Sequence, residues 1–134
     1  MSNRFVCWRL LFRLETKEKA SRKLEEVRQT FGRELKVLTN ERYWKDPTHW
    51  DCTMTTPAVG NSPAEIAFDC LVLAARLGNG WYVLGPGGQG DLQTFSGVFN
   101  APPRGSGSSY LSGLDWASFD LLTPADETEI PEST

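Results

Sequence analysis

The stretch Phe5-Val6-Cys7-Trp8-Arg9-Leu10-Leu11-Phe12-Arg13-Leu14-Glu15 alternates in character. Val6, Trp8, Leu10, Phe12 and Leu14 are apolar, and Arg9 and Arg13 fall between them. Strand side chains point to opposite faces with a period of two, so this stretch predicts a strand with one face on a core. Thr16 then suits a helix N-cap. Ala20, Leu24, Val27 and Phe31 recur at spacings of four, three and four, and Gly32 stands where a C-terminal cap is wanted. Lys, Arg and Glu fill the other positions, which makes this helix amphipathic. Residues 34–44 resume extended character through Leu35, Val37 and Leu38. Asp46-Pro47 marks a turn, because proline presets its own backbone angle and keeps the preceding residue out of the helical region. Trp50, Cys52 and Met54 alternate with Asp51, Thr53 and Thr55 as another strand, which Pro57 ends. A hairpin through Pro47 connects the two.

Ser62-Pro63-Ala64-Glu65 starts a second helix, with Ser at the cap, Pro at the first helical position and Glu at the third. Apolar residues cover most of its circumference from Ile66 to Leu77, so it should be more deeply buried than the first helix. Gly78 closes it, and Gly80-Trp81-Tyr82-Val83-Leu84 reads as a short strand. The order β-α-β-β-α-β predicts an α+β, ferredoxin-like two-layer sandwich: a four-stranded antiparallel sheet with both helices on one face. Ten of the twelve glycines lie between 78 and 113, so loops dominate there. Residues 92–99 keep some strand alternation, 101–109 form a Pro/Gly/Ser linker, and 114–122 carry Trp116, Phe119, Leu121 and Leu122. One or two extra C-terminal strands follow from this. Residues 1–122 are thus read as a single α+β domain and 123–134 as a disordered acidic tail.

The net charge of −3 conceals a split. Residues 1–45 hold twelve basic and six acidic side chains, hence +6, and residues 46–134 hold two basic and eleven acidic ones, hence −9. The longest apolar stretch, 66–77, is too short for a membrane span, which needs about twenty residues, and it contains Asp69. Arg9 and Arg13 interrupt the N-terminal apolar run, so it does not read as a signal peptide. Three scattered cysteines without a C-x-x-C pair suit reduced thiols in the cytoplasm. A soluble cytoplasmic protein without a membrane partner is expected.

Motifs of chemistry are few. Gly85-Pro86-Gly87-Gly88-Gln89-Gly90 matches G-x-G-x-x-G, but a dinucleotide site needs a helix directly afterwards, and Asp91 to Phe95 reads as strand or loop. A glycine turn is the better reading. His49 is the sole histidine. It and Cys52 differ by three along a strand and so point to opposite faces, which argues against a Cys–His nucleophile. His49 is read as a solvated turn residue, and one His with three scattered Cys makes no metal site. No enzyme, cofactor or metal is expected. The basic first helix (Lys17, Lys19, Arg22, Lys23, Arg28) carries Glu15, Glu18, Glu25 and Glu26 at pairing distances, and no RNA-binding strand motif is present, so nucleic acid is not the expected partner.

The segment from Glu41 to Asp51 concentrates three large aromatics, Tyr43, Trp44 and Trp50, around a turn. Tyr and Trp serve as interface anchors, although Trp50 and one other could equally pack in the core. Asp46, Asp51, Asp91, Asp115 and Asp120 lie in segments without compensating bases, and an acidic face steers toward a basic protein. The predicted partner surface is therefore Glu41, Tyr43, Trp44, Asp46, Trp50, Asp51, Asp115 and Asp120.

The element order, the aromatic hairpin (Tyr43-Trp44 and His49-Trp50) and the segment Ser112-Gly113-Leu114-Asp115-Trp116-Ala117-Ser118-Phe119 together resemble small bacterial immunity proteins of contact-dependent growth-inhibition and related polymorphic toxin systems. The resemblance implies a cytoplasmic, non-enzymatic inhibitor that binds one cognate toxin domain, a basic protein and by expectation a nuclease. No residue role transfers from it position by position. A phage-encoded anti-CRISPR-type inhibitor shares the size, acidity and lack of catalytic motif. A small ferredoxin-like ligand-binding or enzyme domain is the third class, and its site would be sought on the Arg9 and Arg13 face of the first strand. Residues 92–122, or a second copy in a homodimer, could instead cover that face.

Overall fold

A computed structural model describes residues 4–87, 92, 95–102 and 104–122. The order is β1 (Phe5–Arg13), α1 (Lys17–Phe31), β2 (Lys36–Arg42), β3 (His49–Pro57), α2 (Pro63–Leu77), β4 (Gly78–Asn79), β5 (Tyr82–Leu84), β6 (Ser96–Asn100), β7 (Ser108–Ser109) and β8 (Leu114–Leu122). Six strands form one antiparallel sheet in the order β2-β3-β1-β8-β6-β5, and β4 pairs with β7 in a small second ladder.

The fold is α+β, as the sequence predicts, but its strand order departs from the expected ferredoxin-like arrangement. The place beside β1 goes to β8, the last described strand, while β5, within the stretch expected to fill it, lies at the far edge and β4 leaves the sheet to pair with β7. The physical reason is size. Residues 82–84 are all exposed, whereas the nine-residue β8 buries Leu114, Ala117 and Phe119 and pairs along almost all of β1. The longer, more apolar strand takes the central position. The expected tail at 123–134 lies outside the described residues.

Local signals act as the sequence implies. Thr16 Oγ1 accepts the Lys19 amide at 3.2 Å, and Gly32 ends α1 with a left-handed φ of 67°. Ser62 Oγ accepts the Glu65 amide at 3.2 Å, while Glu65 Oε1 accepts from the Asn61 amide, one residue before the cap. Val6, Trp8, Leu10 and Phe12 are buried on one face of β1, in a core shared with Trp50, Cys52 and Met54 of β3 and both helices. Trp8 packs against Phe31, Trp81 and Phe119, and its Nε1 donates to Thr56 Oγ1 at 3.0 Å. α2 is buried through Ile66, Ala67, Cys70, Leu73, Ala74 and Leu77, but Phe68 and Leu71 remain exposed, so its apolar circumference is not wholly covered. No described helix is long and apolar enough to cross a membrane.

Candidate functional site

The other face of β1 carries Arg9, Leu11 and Arg13, which the helices do not cover. Here β1, the start of β3 and the start of β8 form the floor of a concavity of about 930 Å3. Tyr43, Lys45 and Asp46 of the β2–β3 turn make one wall, and Asn100, Ala101, Pro102 and Arg104 make the other.

Two ion-pair systems organise it. Arg9 grips Asp51 on the neighbouring strand through Nε to Oδ1 at 3.1 Å and Nη2 to Oδ2 at 2.7 Å. This bidentate pair, with the partly buried Asp51 carboxylate accepting both bonds, raises the guanidinium pKa further above its usual range. The same guanidinium lies 5.6 Å from the Tyr43 ring centroid and 5.8 Å from that of Trp116, so it bridges two aromatics. The second system centres on His49. Nδ1 lies 3.0 Å from Asp46 Oδ2 and Nε2 lies 2.7 Å from Asp115 Oδ2, which also accepts from Arg13 Nη2 at 2.9 Å.

Backbone irregularities aim these groups. The β1–β8 register shifts between Leu11 and Phe12, with Leu11 opposite Trp116 and Phe12 opposite Leu114. Asp115 is the extra residue, and a bulge of this kind re-aims its side chain, here onto Arg13 and His49. In the β2–β3 turn Asp46 Oδ1 accepts from the amide and hydroxyl of Thr48, which holds the Asp46 carboxyl below the usual range.

Of the predicted surface, Tyr43, Asp46, Asp51 and Asp115 come together in or directly beside this concavity. Trp44 stands on the rim at 79% exposure with Lys45 over its ring. Glu41 is exposed on the edge strand β2. Asp120 lies farther along the open face, in a shallower depression shared with Trp116, Tyr82 and Leu84, where burial pushes its carboxyl pKa up. Trp50 is in the core at 7% exposure, opposite Phe12, and is capped by the Arg42 guanidinium 5.3 Å from its ring. It belongs to the packing half of the sequence reading.

Two expectations are corrected. His49 is not a solvated turn residue: its side chain is 13% exposed and clasped by two carboxylates, one of them 66 residues away. Asp51 and Asp115 do have compensating bases, supplied across the sheet by Arg9 and Arg13. Sequence reasoning did not find Lys45, Asn100, Arg104 and Trp116 as lining residues; only the alternation of Trp116 with Ala117 hinted at its face. Cys52 sits on the core face, away from His49. Burial raises all three thiols, Cys7 to about 11 and Cys52 to about 12. Gly85-Pro86 is a cis peptide, and Gly88, Gln89 and Gly90 of the glycine string lie outside the described residues. Among the described residues no cluster of His, Cys, Asp and Glu could hold a metal ion. Comparison with protein-family models, with curated proteins and with solved structures finds no match to this chain.

Proposed function

We propose that this protein is a stoichiometric inhibitor of the immunity type, acting in the cytoplasm and covering part of a toxin domain with the open face of its sheet. The observation that carries the reading is the convergence of Tyr43, Asp46, Asp51, Asp115 and Trp116 on one concave face that no described residue covers. Aromatic rings offer large contact area at small entropic cost, and the paired charges hold them in place before binding. Glu41 and Asp120 have no cationic partner among the described residues, and they supply the steering charge toward a basic protein, a nuclease by preference. We also infer a ferredoxin-like core, β2-β3-β1-β8, in which the fourth strand has been deferred to β8 by an insertion after α2.

Co-expression with the product of the adjoining reading frame tests this. The expected result is a one-to-one complex, rescue of growth, and loss of both on Tyr43→Ala with Trp116→Ala. Separate elution of the two proteins and no rescue would sink the immunity reading. Binding instead to a nuclease complex of a phage host would favour the anti-CRISPR class.

A second reading, a ligand-binding domain, is favoured by the lining itself. Arg104 has no ionic partner among the described residues and stands with Lys45 over the same concavity. A small molecule with a carboxylate or phosphate group fits there, and phosphate or citrate would then raise the melting temperature.

A further inference from the structure

On the opposite side of the molecule, α2 turns four apolar residues outward. Ala64, Phe68, Leu71 and Ala75 are all exposed, Phe68 at 69% and Leu71 at 37%. Their spacings of four, three and four place them on one stripe, well round the helix from the buried set centred on Cys70 and Leu73. The stripe reads small, large, large, small, and is the same in pattern from either end. A two-fold axis through its middle therefore sets Ala64 against Ala75 of a second copy and Phe68 against Leu71.

Charge supports the same arrangement. Glu65 and Arg76 lie about 20° apart round the helix, on the same flank of the stripe, at roughly 100° per residue. In an antiparallel pair related by that axis, like flanks meet, and Glu65 of each copy comes within about two residues, or 3 Å, of the level of Arg76 in the other. Both side chains are exposed and each has spent one atom locally: Glu65 Oε1 accepts from the Asn61 amide at 2.6 Å, and Arg76 Nη1 donates to Phe31 O at 2.8 Å, which leaves Glu65 Oε2 and Arg76 Nη2 for the contact. Asp69, the other acid nearby, is closed onto Arg33 through two bonds of 2.6 and 2.9 Å and takes no part.

We propose that two copies of this chain pair through α2, antiparallel and two-fold symmetric, with Phe68 and Leu71 at the centre and Glu65–Arg76 pairs at both ends. The dimer leaves the two concave sheet faces pointing outward, so it is independent of the function proposed for them.

Analytical ultracentrifugation of the full chain tests the proposal. The expected result is a reversible dimer at micromolar concentration, converted to monomer by Phe68→Glu with the far-UV spectrum and melting transition retained. Glu65→Arg should weaken association on the order of tenfold, and Glu65→Arg combined with Arg76→Glu should restore it. A wild-type chain that stays monomeric at several hundred micromolar overturns the proposal, as does a dimer indifferent to Phe68→Glu. Charge reversal without rescue overturns the antiparallel geometry. Binding of a toxin domain by the Phe68→Glu monomer would leave the inhibitor reading standing, so the two ideas fail separately.

Discussion

Nε2 of His49 lies 2.7 Å from Oδ2 of Asp115, which ties the start of β3 to the start of β8 although neither strand pairs with the other. β1 runs between them, and its Arg13 donates to the same carboxylate oxygen. Asp115 thus closes one end of the open face by serving two donors from two strands.

Replacing Asp115 by Ala removes both acceptor contacts at once. The expected loss of unfolding free energy is about 1–3 kcal/mol, at the upper end for a hydrogen-bonded charge with a mostly buried histidine left behind. Urea denaturation of Asp115→Ala, His49→Ala and the double variant would measure it. Strictly additive effects would show that the contact carries no coupling.

Trp8 and Trp50 should respond differently to the same substitution. Trp8 is fully buried and donates to the fully buried Thr56 hydroxyl, so Trp8→Phe both opens space and strands a polar group, costing about 2–4 kcal/mol. Trp50 Nε1 is buried without a partner among the described residues, so Trp50→Phe removes an unsatisfied donor and should cost about 1 kcal/mol less than the Trp8 change. An inverted order in thermal or urea unfolding would contradict this account of the core.

Gly97 in β6 lies against the ring of Phe119, and a Cβ built there runs into that ring. Phe119 cannot yield easily, because Trp8, Trp81 and Phe95 pack round it. Gly97→Ala should destabilise the fold by about 1–3 kcal/mol through overpacking, read as a lower urea midpoint. An unchanged midpoint would mean that the aromatic cluster is looser than its geometry implies.

Asp120 supplies a pH prediction. Burial raises its carboxyl pKa, so the folded protein holds the proton more tightly than the unfolded chain does. The stability it contributes is fully present below the ordinary carboxylate range and is lost as pH rises through the raised value. Asp120→Asn should therefore stabilise the protein at pH 7, by less than about 1 kcal/mol for a half-exposed group, with the advantage vanishing below about pH 4. Its charge also helps to raise the thiol of Cys7, its neighbour across the β1–β8 ladder, to about 11. The same variant should make Cys7 titrate at lower pH, and a constant difference in stability across the pH range would refute the assignment.

Much of the fold was legible in short windows. The period-two run of β1, the capped repeat of α1 and the Ser62-Pro63 start of α2 all describe interactions between residues a few positions apart, and all three elements appear where those signals stand. The candidate site was partly legible for the same reason. Alternation alone put Arg9 and Arg13 on the face away from the core, and Asp46-Pro47 marked the turn that forms one wall of the site.

What lay beyond the sequence is what one strand chooses as its neighbour. Local alternation says that residues 114–122 form a strand, but not that they displace residues 82–84 from the side of β1; that choice depends on how much apolar surface each can bury against a core built by distant segments. The charges follow the strands. The sequence by itself determined a +6 first third and a −9 remainder, along with the helices and the identity of the core face. Only the tertiary structure decided that this separation closes into pairs, Arg9 with Asp51 and Arg13 with Asp115, because antiparallel neighbours bring side chains 42 and 102 residues apart to within hydrogen-bonding distance.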